Sequence, residues 1–483
     1  DLHVKSNRLH NLRARLRRLF RPAKSQLEFD TLQELSQLRI STIEPVAWGE
    51  QRSGLNLLFT RTIEQAQTLD EIHAQGYGQM PVQTKAAIAK ECGRLLAAMH
   101  RAGLFHPDPH PGNLLWSFQT NTLRVIDLHQ VHRARRVSLE DRCRDLAAWA
   151  AWSDLRLSAV DNMRLLKRYA TQFSPGELKR SDWRAMLARI RSLLEKRQAA
   201  FWGKQAAFCL RGGHRRFARF RQGLARGMAL GDKRELMQNV ARLGAPGERL
   251  PDEATILKES ASSRVFRIGL GDQSLIVKQV PWKKKTTSRL ARWFGFDPVR
   301  RAWYWTNALR LRLLPTPVSQ GFFLDSRRRV SVLVTSEIPG ALQLDEWVQV
   351  RRHDRESLRA MALQIADLLK RMHQRGVQHR DLKAANLLVD REQKAWLVDL
   401  AGVGAAPHRL ADRERRCKRD LARLAISFWA NPAISHSLRL RFLRTYLWGH
   451  SFPGASWKNW WRDLAHTAEQ RIRRNEEKGR PVG

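Results

Sequence analysis

A thirteen-residue stretch of this chain occurs twice, and that repeat limits what the chain can fold into. Gly103–Leu115 reads G-L-F-H-P-D-P-H-P-G-N-L-L, and Gly376–Leu388 reads G-V-Q-H-R-D-L-K-A-A-N-L-L. Asp108 and Asp381 stand 273 positions apart, as do Asn113 and Asn386. Leu123–Leu128 (L-R-V-I-D-L) answers Ala395–Leu400 (A-W-L-V-D-L), and Leu2–Lys5 (L-H-V-K) answers Leu275–Lys278 (L-I-V-K). Arg142–Leu146 (R-C-R-D-L) answers Arg416–Leu421 (R-C-K-R-D-L). Matches in one order at nearly one spacing imply a duplicated domain.

The repeated residues carry chemistry. In H-R-D-L-K-A-A-N an aspartate is followed five positions later by an asparagine. A second aspartate, Asp399, ends a short apolar strand thirteen residues on. That is a phosphoryl-transfer pattern: one carboxylate accepts the proton of the attacking hydroxyl, while the amide and the second carboxylate hold Mg²⁺. In the second copy Asp381 is the candidate base, Lys383 a transition-state cation, and Asn386 and Asp399 the metal ligands. Lys278, in the strand L-I-V-K-Q-V, is the candidate ammonium for the nucleotide phosphates, since a strand interior seldom holds a lone lysine. Glu337, in T-S-E-I-P-G, falls where the strands give way to helices and marks backbone that could pair with adenine. The turn Ser260–Arg264 sits where a glycine-rich loop would cover the phosphates. It has no glycine, so Ser262 and Ser263 are the candidate phosphate contacts.

The first copy offers Lys5, Glu28, Asp108, Asn113 and Asp127 in the same roles, with His110 in place of Lys383. Glu28 is placed to pair with Lys5. The second copy has no acidic residue between Asp297 and Asp325, so Lys278 lacks a helix partner; either another carboxylate serves, with Asp399 a candidate, or this copy has reduced activity.

Hydrophobic periodicity completes the architecture. Leu9, Leu12, Leu16 and Leu19 recur at helical spacing, and Leu27–Leu38, Gln83–Arg101 and Arg355–Gln374 read as helices. Pro45–Trp48, Leu55–Thr60, Ser274–Val280 and Val330–Ile338 read as strands, and Ser138–Phe220 as mostly helical. The expected fold is α+β: two tandem protein-kinase-like domains, each a small β-rich lobe before a helical lobe. The first copy spans 1–244 and enters at its third strand. Gly244–Pro251, rich in breakers, supplies a linker at 245–251, and the second copy spans 252–483.

Composition narrows the partners. No apolar run is long enough to span a bilayer, and no secretory leader is evident in the arginine-rich start. Four scattered cysteines form no metal or disulfide pattern. A net charge of +41 calls for a polyanionic partner. The basic, aromatic stretches Lys283–Trp305 and Trp448–Arg462 suit an anionic membrane interface, with Trp293, Phe294, Phe296, Trp303, Trp305, Trp448, Trp457, Trp460 and Trp461 at headgroup level. No nucleic-acid-binding motif is present.

The sequence resembles the lipopolysaccharide core kinase family. The resemblance rests on L-I-V-K at Leu275–Lys278, L-L-P-T-P at Leu313–Pro317, H-R-D-L-K-A-A-N at His379–Asn386 and L-V-D-L-A at Leu397–Ala401, with L-E-F at Leu27–Phe29 and P-V-A-W-G-E at Pro45–Glu50. H-P-D-P-H-P-G-N at His106–Asn113 is also similar to atypical kinases of the ABC1 type, whose K-x-G-Q stretch is absent. The resemblance implies Mg²⁺ and ATP, a heptose or Kdo hydroxyl of the inner core as acceptor, and work at the cytoplasmic face of a Gram-negative inner membrane. A kinase for another small molecule remains open, as does a docking module in which one copy is inactive.

Overall fold

In Gln273–Pro281 burial alternates: Leu275, Val277 and Gln279 point inward, while Ile276 and Lys278 face the other side of the strand. That period of two builds a sheet with one face on a core and leaves Lys278 on the opposite face. The structure, a computed structural model, describes residues 1–8, 22–51, 54–106, 110–153, 158–174, 177–212, 215–243, 248–270, 273–282, 297–407, 409–448, 452, 456–477 and 479. Asp108, the leucine-striped segment 9–21 and the basic segment 283–296 lie outside the described residues.

The chain divides into two units, Asp1–Gln198 and Ala199–Gly483. In the first, β1 (Leu2–Arg8), β2 (Pro45–Glu50) and β3 (Leu55–Arg61) form an antiparallel sheet in the order β1-β3-β2. Helix α1 (Lys24–Gln37) packs on it and buries Glu28, Leu32 and Leu35. Helix α2 (Val82–Arg101) leads into the first copy of the repeat. The short strands β4 (Leu114–Ser117) and β5 (Thr122–Val125) follow it. Helices α3 (Leu139–Ser153) and α4 (Ala159–Ala170) come next, and α5 (Arg180–Ala207) runs across the boundary. One apolar core holds this unit, centred on Leu95, Trp116, Leu146 and Tyr169.

The second unit begins earlier than a linker at 245–251 predicts, because strands preceding that linker belong to its sheet. The mostly helical reading of Ser138–Phe220 fails at its C-terminal end. Instead β6 (Phe217–Gln222) and β7 (Ala225–Leu230) form a hairpin around Gly223, whose φ of 55° suits the turn. Phe217 and Phe220 go inward, and β7 pairs with a strand of the second sheet. The approach is close at Gly227, where a Cβ would lie 1.8 Å from the Phe322 carbonyl oxygen. After helix α6 (Arg234–Arg242) come β8 (Thr255–Ser260), β9 (Ser263–Leu270), β10 (Gln273–Pro281), helix α7 (Pro298–Leu311), β11 (Ser319–Asp325) and β12 (Val330–Ser336). The seven-stranded order is β8-β9-β10-β12-β11-β7-β6.

Asp297 caps α7, accepting from the Val299 and Arg300 N–H groups, and Pro298 opens the helix. The helical lobe holds α8 (Leu344–Val350), α9 (Arg355–Gln374), the short strands β13 (Leu387–Val389) and β14 (Ala395–Leu397), and then α10 (Leu410–Ile426), α11 (His436–Leu447) and α12 (Trp457–Glu476). These helices enclose an apolar cavity of about 600 Å³ bounded by Trp347, Met361, Phe428 and Trp461. No residue of the loop at 379–386 lines it.

The aromatic clusters divide. Trp303, Trp305 and Trp460 are buried in the core rather than held at a surface, because their indoles pack against Phe217, Tyr304 and Tyr446. Trp448 is 82% exposed and Trp457 also lies at the surface, while Trp461 packs partly against the core. Trp293, Phe294 and Phe296 lie outside the described residues. Among the described residues no helix is long and apolar enough to cross a membrane.

Candidate active site

The second copy of the repeat gathers its polar residues in one place. The turn Ala384–Asn386 directs the Asn386 side chain back, and its Nδ2 donates to the Asp381 carbonyl at 2.7 Å. The Val398 N–H donates to the Asn386 carbonyl at 3.0 Å, which ties the strand end carrying Asp399 to that turn. Asp399 itself adopts a left-handed backbone, φ 54°, a conformation an aspartate tolerates at a cost and one that clusters at functional sites. Its Oδ1 accepts from Lys278 Nζ at 2.6 Å. Burial acts to raise the Asp399 pKa, but Lys278, His379 and Lys383 outweigh it and hold the carboxyl below its ordinary value. Asp381 is half exposed, with Arg423 Nη1 3.9 Å from its Oδ1. Arg423 was not anticipated: nothing in L-A-R-L distinguishes it from a solvated helix cation.

What holds this loop was also missed. Asp420, on α10, accepts from the His379 and Arg380 N–H groups at 2.8 Å each and from the His373 ring at 3.4 Å. The other ring nitrogen of His373 meets the Tyr446 hydroxyl at 2.7 Å. The first unit repeats the device. Asp145 accepts from the His106 N–H at 2.7 Å and meets His100 at 3.1 Å, and His100 meets the Tyr169 hydroxyl at 2.7 Å. The signal was present in R-C-R-D-L and R-C-K-R-D-L, each an aspartate on an otherwise apolar helix face.

In the first unit Lys5 Nζ lies 2.8 Å from Glu28 Oε2 and 2.6 Å from Asp127 Oδ1. Asp127 has the same left-handed backbone, φ 59°, and the Ile126 N–H donates to the Asn113 carbonyl at 2.9 Å. His129 adds a contact that the sequence reading did not foresee: its Nδ1 is 2.7 Å from Asp127 Oδ1. The second copy has Ala401 two residues beyond its aspartate. Ligand atoms of Glu28, Asp127 and His129 lie within 4.8 Å of one another, close enough for a metal ion, although Lys5 now takes up both carboxylates. His110 is turned onto the Gly112 N–H at 3.0 Å, with Asp70 at 3.8 Å.

Glu28 is 2% exposed, so Lys5→Met would strand a buried carboxylate. We expect that variant to cost the first unit about 3 kcal/mol. Lys278→Met should cost less than about 1 kcal/mol, because Asp399 is 41% exposed and stays hydrated. Urea denaturation of each variant checks the contrast. The His129 hydrogen bond, against burial and helped by Lys5, pulls the Asp127 pKa well below the ordinary carboxylate range. A depressed folded-state pKa stabilises fully above the unfolded value of about 4, and the contribution disappears as pH falls through the folded value. The first unit should therefore lose stability below about pH 4, and Lys5→Met should flatten that acid limb.

The remaining candidates lie at the β8–β9 turn and at the strand end. The Ser263 N–H donates to Ser260 Oγ at 3.2 Å, and the Ser260 and Ser262 hydroxyls are 3.2 Å apart. Glu337 is engaged locally: its N–H donates to the Ser274 carbonyl at 3.0 Å, and its carboxylate meets the Ser274 hydroxyl and Arg267. Its N–H is thus taken by the strand ladder and is not free for a base. Lys383 contributes to the field on Asp399.

The model of the lipopolysaccharide kinase (Kdo/WaaP) family matches residues 1–169 and 282–446. The chain belongs to this family. The two matched segments each contain one copy of the aspartate–asparagine–aspartate set, and the α+β architecture is the kinase-like fold of Kdo/WaaP proteins. A solved structure described as "WaaP in complex with acyl carrier protein" is similar at 20% identity, covering 51% of this chain and 93% of that one with a TM-score of 0.34. No curated protein matches.

Proposed function

We propose that the second unit transfers the terminal phosphoryl group of ATP to a heptose or Kdo hydroxyl of the lipopolysaccharide inner core. The observation that carries this reading is the pair of contacts made by one loop and one strand: Asn386 to the Asp381 carbonyl, and Asp399 to Lys278. With Nδ2 of Asn386 committed, its amide oxygen and the Asp399 carboxylate are the hard oxygen donors that suit Mg²⁺. Bound there, Mg²⁺ would neutralise charge on the phosphates. Lys278 then contacts nucleotide phosphate, Asp381 accepts the proton of the sugar hydroxyl, and Lys383 adds positive charge beside it. The first unit offers Lys5, Asn113 and Asp127 in the matching roles, with Asp108 as base. Phosphate transfer from ATP to purified lipopolysaccharide core tests the reading. Transfer that depends on Asp381 or Asp108 supports it, and transfer indifferent to both overturns it.

We also expect the chain to bind anionic membrane through its net charge of +41 and its exposed Trp448 and Trp457. Liposome flotation should show binding to vesicles containing phosphatidylglycerol that weakens as salt rises. Absence of salt-sensitive binding would reject this partner.

A further inference from the structure

Two arginines of the second unit reach the segment just past Asp399, and a third, Arg416, stands near one of them. Arg301, on α7, donates from Nη2 to the Val403 carbonyl at 3.1 Å, and Arg380 donates from Nη2 to the Ala405 carbonyl at 3.4 Å. The Arg380 guanidinium lies so close over Gly404 that a Cβ there would sit 2.2 Å from its Cζ. Arg416 stands one helical turn before Asp420 on α10, hence on the same face. Asp420 is the residue that holds the Arg380 N–H, at 2.8 Å. Arg380 also has a left-handed backbone, φ 64°. Its guanidinium pKa is lowered first by burial and then by the charges of Arg416 and Arg301.

Among the described residues none of these three arginines has a carboxylate partner within ion-pair distance. Asp420 is committed to two backbone N–H groups and to His373. Residues 283–296 contain no Asp or Glu at all. Guanidinium groups stay charged, so three of them together repel unless an anion joins them, and their planar donor forks match phosphate oxygens.

We propose that Arg301, Arg380 and Arg416 form a pocket for a phosphomonoester group, and that its binding steadies Val403–Ala405 and with it the backbone presenting Asp399. The phosphate does not come from this segment, because no Ser, Thr or Tyr occurs from Asp399 to Ile426. It is carried by a second molecule, as inorganic phosphate or as a phosphorylated sugar. The repeat does not carry Arg380 or Arg416 into the first unit. Pro107, outside the described residues, stands at the repeat position of Arg380, and Asp141 stands four residues before Asp145 as Arg416 does before Asp420. The pocket stands on this geometry whether or not the second unit transfers phosphate.

Calorimetric titration of the full chain without nucleotide tests it, using inorganic phosphate, glucose 1-phosphate and, as a neutral control, glucose. Both phosphates should bind saturably and glucose should not. Arg416→Gln and Arg301→Gln should each weaken phosphate binding about tenfold or more. Arg301→Lys, which keeps the charge but loses the fork, should fall between. In phosphate-free buffer Arg416→Gln should melt no lower than the wild type, since it relieves repulsion; a merely structural arginine would lower the melting temperature. Tighter binding of glucose 1-phosphate than of inorganic phosphate assigns a phosphorylated sugar as occupant, and the reverse order assigns free phosphate. Unchanged affinity in both Gln variants, or the absence of saturable phosphate binding, overturns the proposal.

Discussion

Asp381→Asn is expected to slow phosphate transfer from ATP to lipopolysaccharide core by about two to four orders of magnitude, with the KM for ATP nearly unchanged. The substitution is isosteric. It leaves the Asp381 carbonyl in place to accept from Asn386, so the turn bearing that amide keeps its shape. What disappears is a carboxylate able to take a proton from the attacking hydroxyl. In the proposed function ATP binding rests instead on Lys278 and Asp399, whose contact this change does not touch. Asp108→Asn makes the same comparison for the first unit. If Asp108→Asn abolishes transfer while Asp381→Asn does not, the first unit is the enzyme and the second supports it.

Asp420→Asn should destabilise the second unit by about 3 kcal/mol, and Asp145→Asn should do the same to the first. Asp420 is 2% exposed and accepts three hydrogen bonds. An amide has one acceptor oxygen, and its NH₂ would point at donors already facing the carboxylate. Burial works against the charged form, but the His373 hydrogen bond and the neighbouring histidine charges keep the Asp420 pKa below its ordinary value. Its contribution is therefore fully present above about pH 4 and is lost only as pH falls through the lower folded value. Scanning calorimetry gives the most specific readout. The two variants should lower different transitions, each by roughly 6–12 °C for units of this size. A variant that shifts neither transition would show that the buried aspartates do not hold their loops.

How much of this was legible in the sequence depended on the kind of signal. Asp381, Asn386 and Asp399 could be read because their order and spacing follow from local geometry: a short turn, a two-strand excursion, and a residue at a strand end. Lys278 stood out as a lone ammonium in an apolar strand. Asp399 could be read only as a candidate partner, since no acidic residue lies on the helix after Lys278. Asp420 and Asp145 were visible only as markers of the repeat, because what they hold is brought to them by tertiary packing and not by sequence neighbours. His129 passed unnoticed for the same reason. The hairpin Phe217–Leu230 was misread because Phe217 and Phe220, three apart, also fit a helical face; Gln222-Gly223-Leu224 held the turn signal. Trp303 and Trp460 were assigned to a surface on composition, which cannot distinguish an indole packed in a core from one at an interface.

The account's central claim is that the aspartate–asparagine–aspartate set in this chain phosphorylates a sugar of the lipopolysaccharide core. Mass spectrometry of core oligosaccharide tests it most directly, comparing cells that lack the protein with the same cells given back either the wild type or the chain carrying both Asp108→Asn and Asp381→Asn. The account predicts that a core phosphate is lost, is restored by the wild type and stays missing with the double variant. A core with its full phosphate content in all three would contradict it.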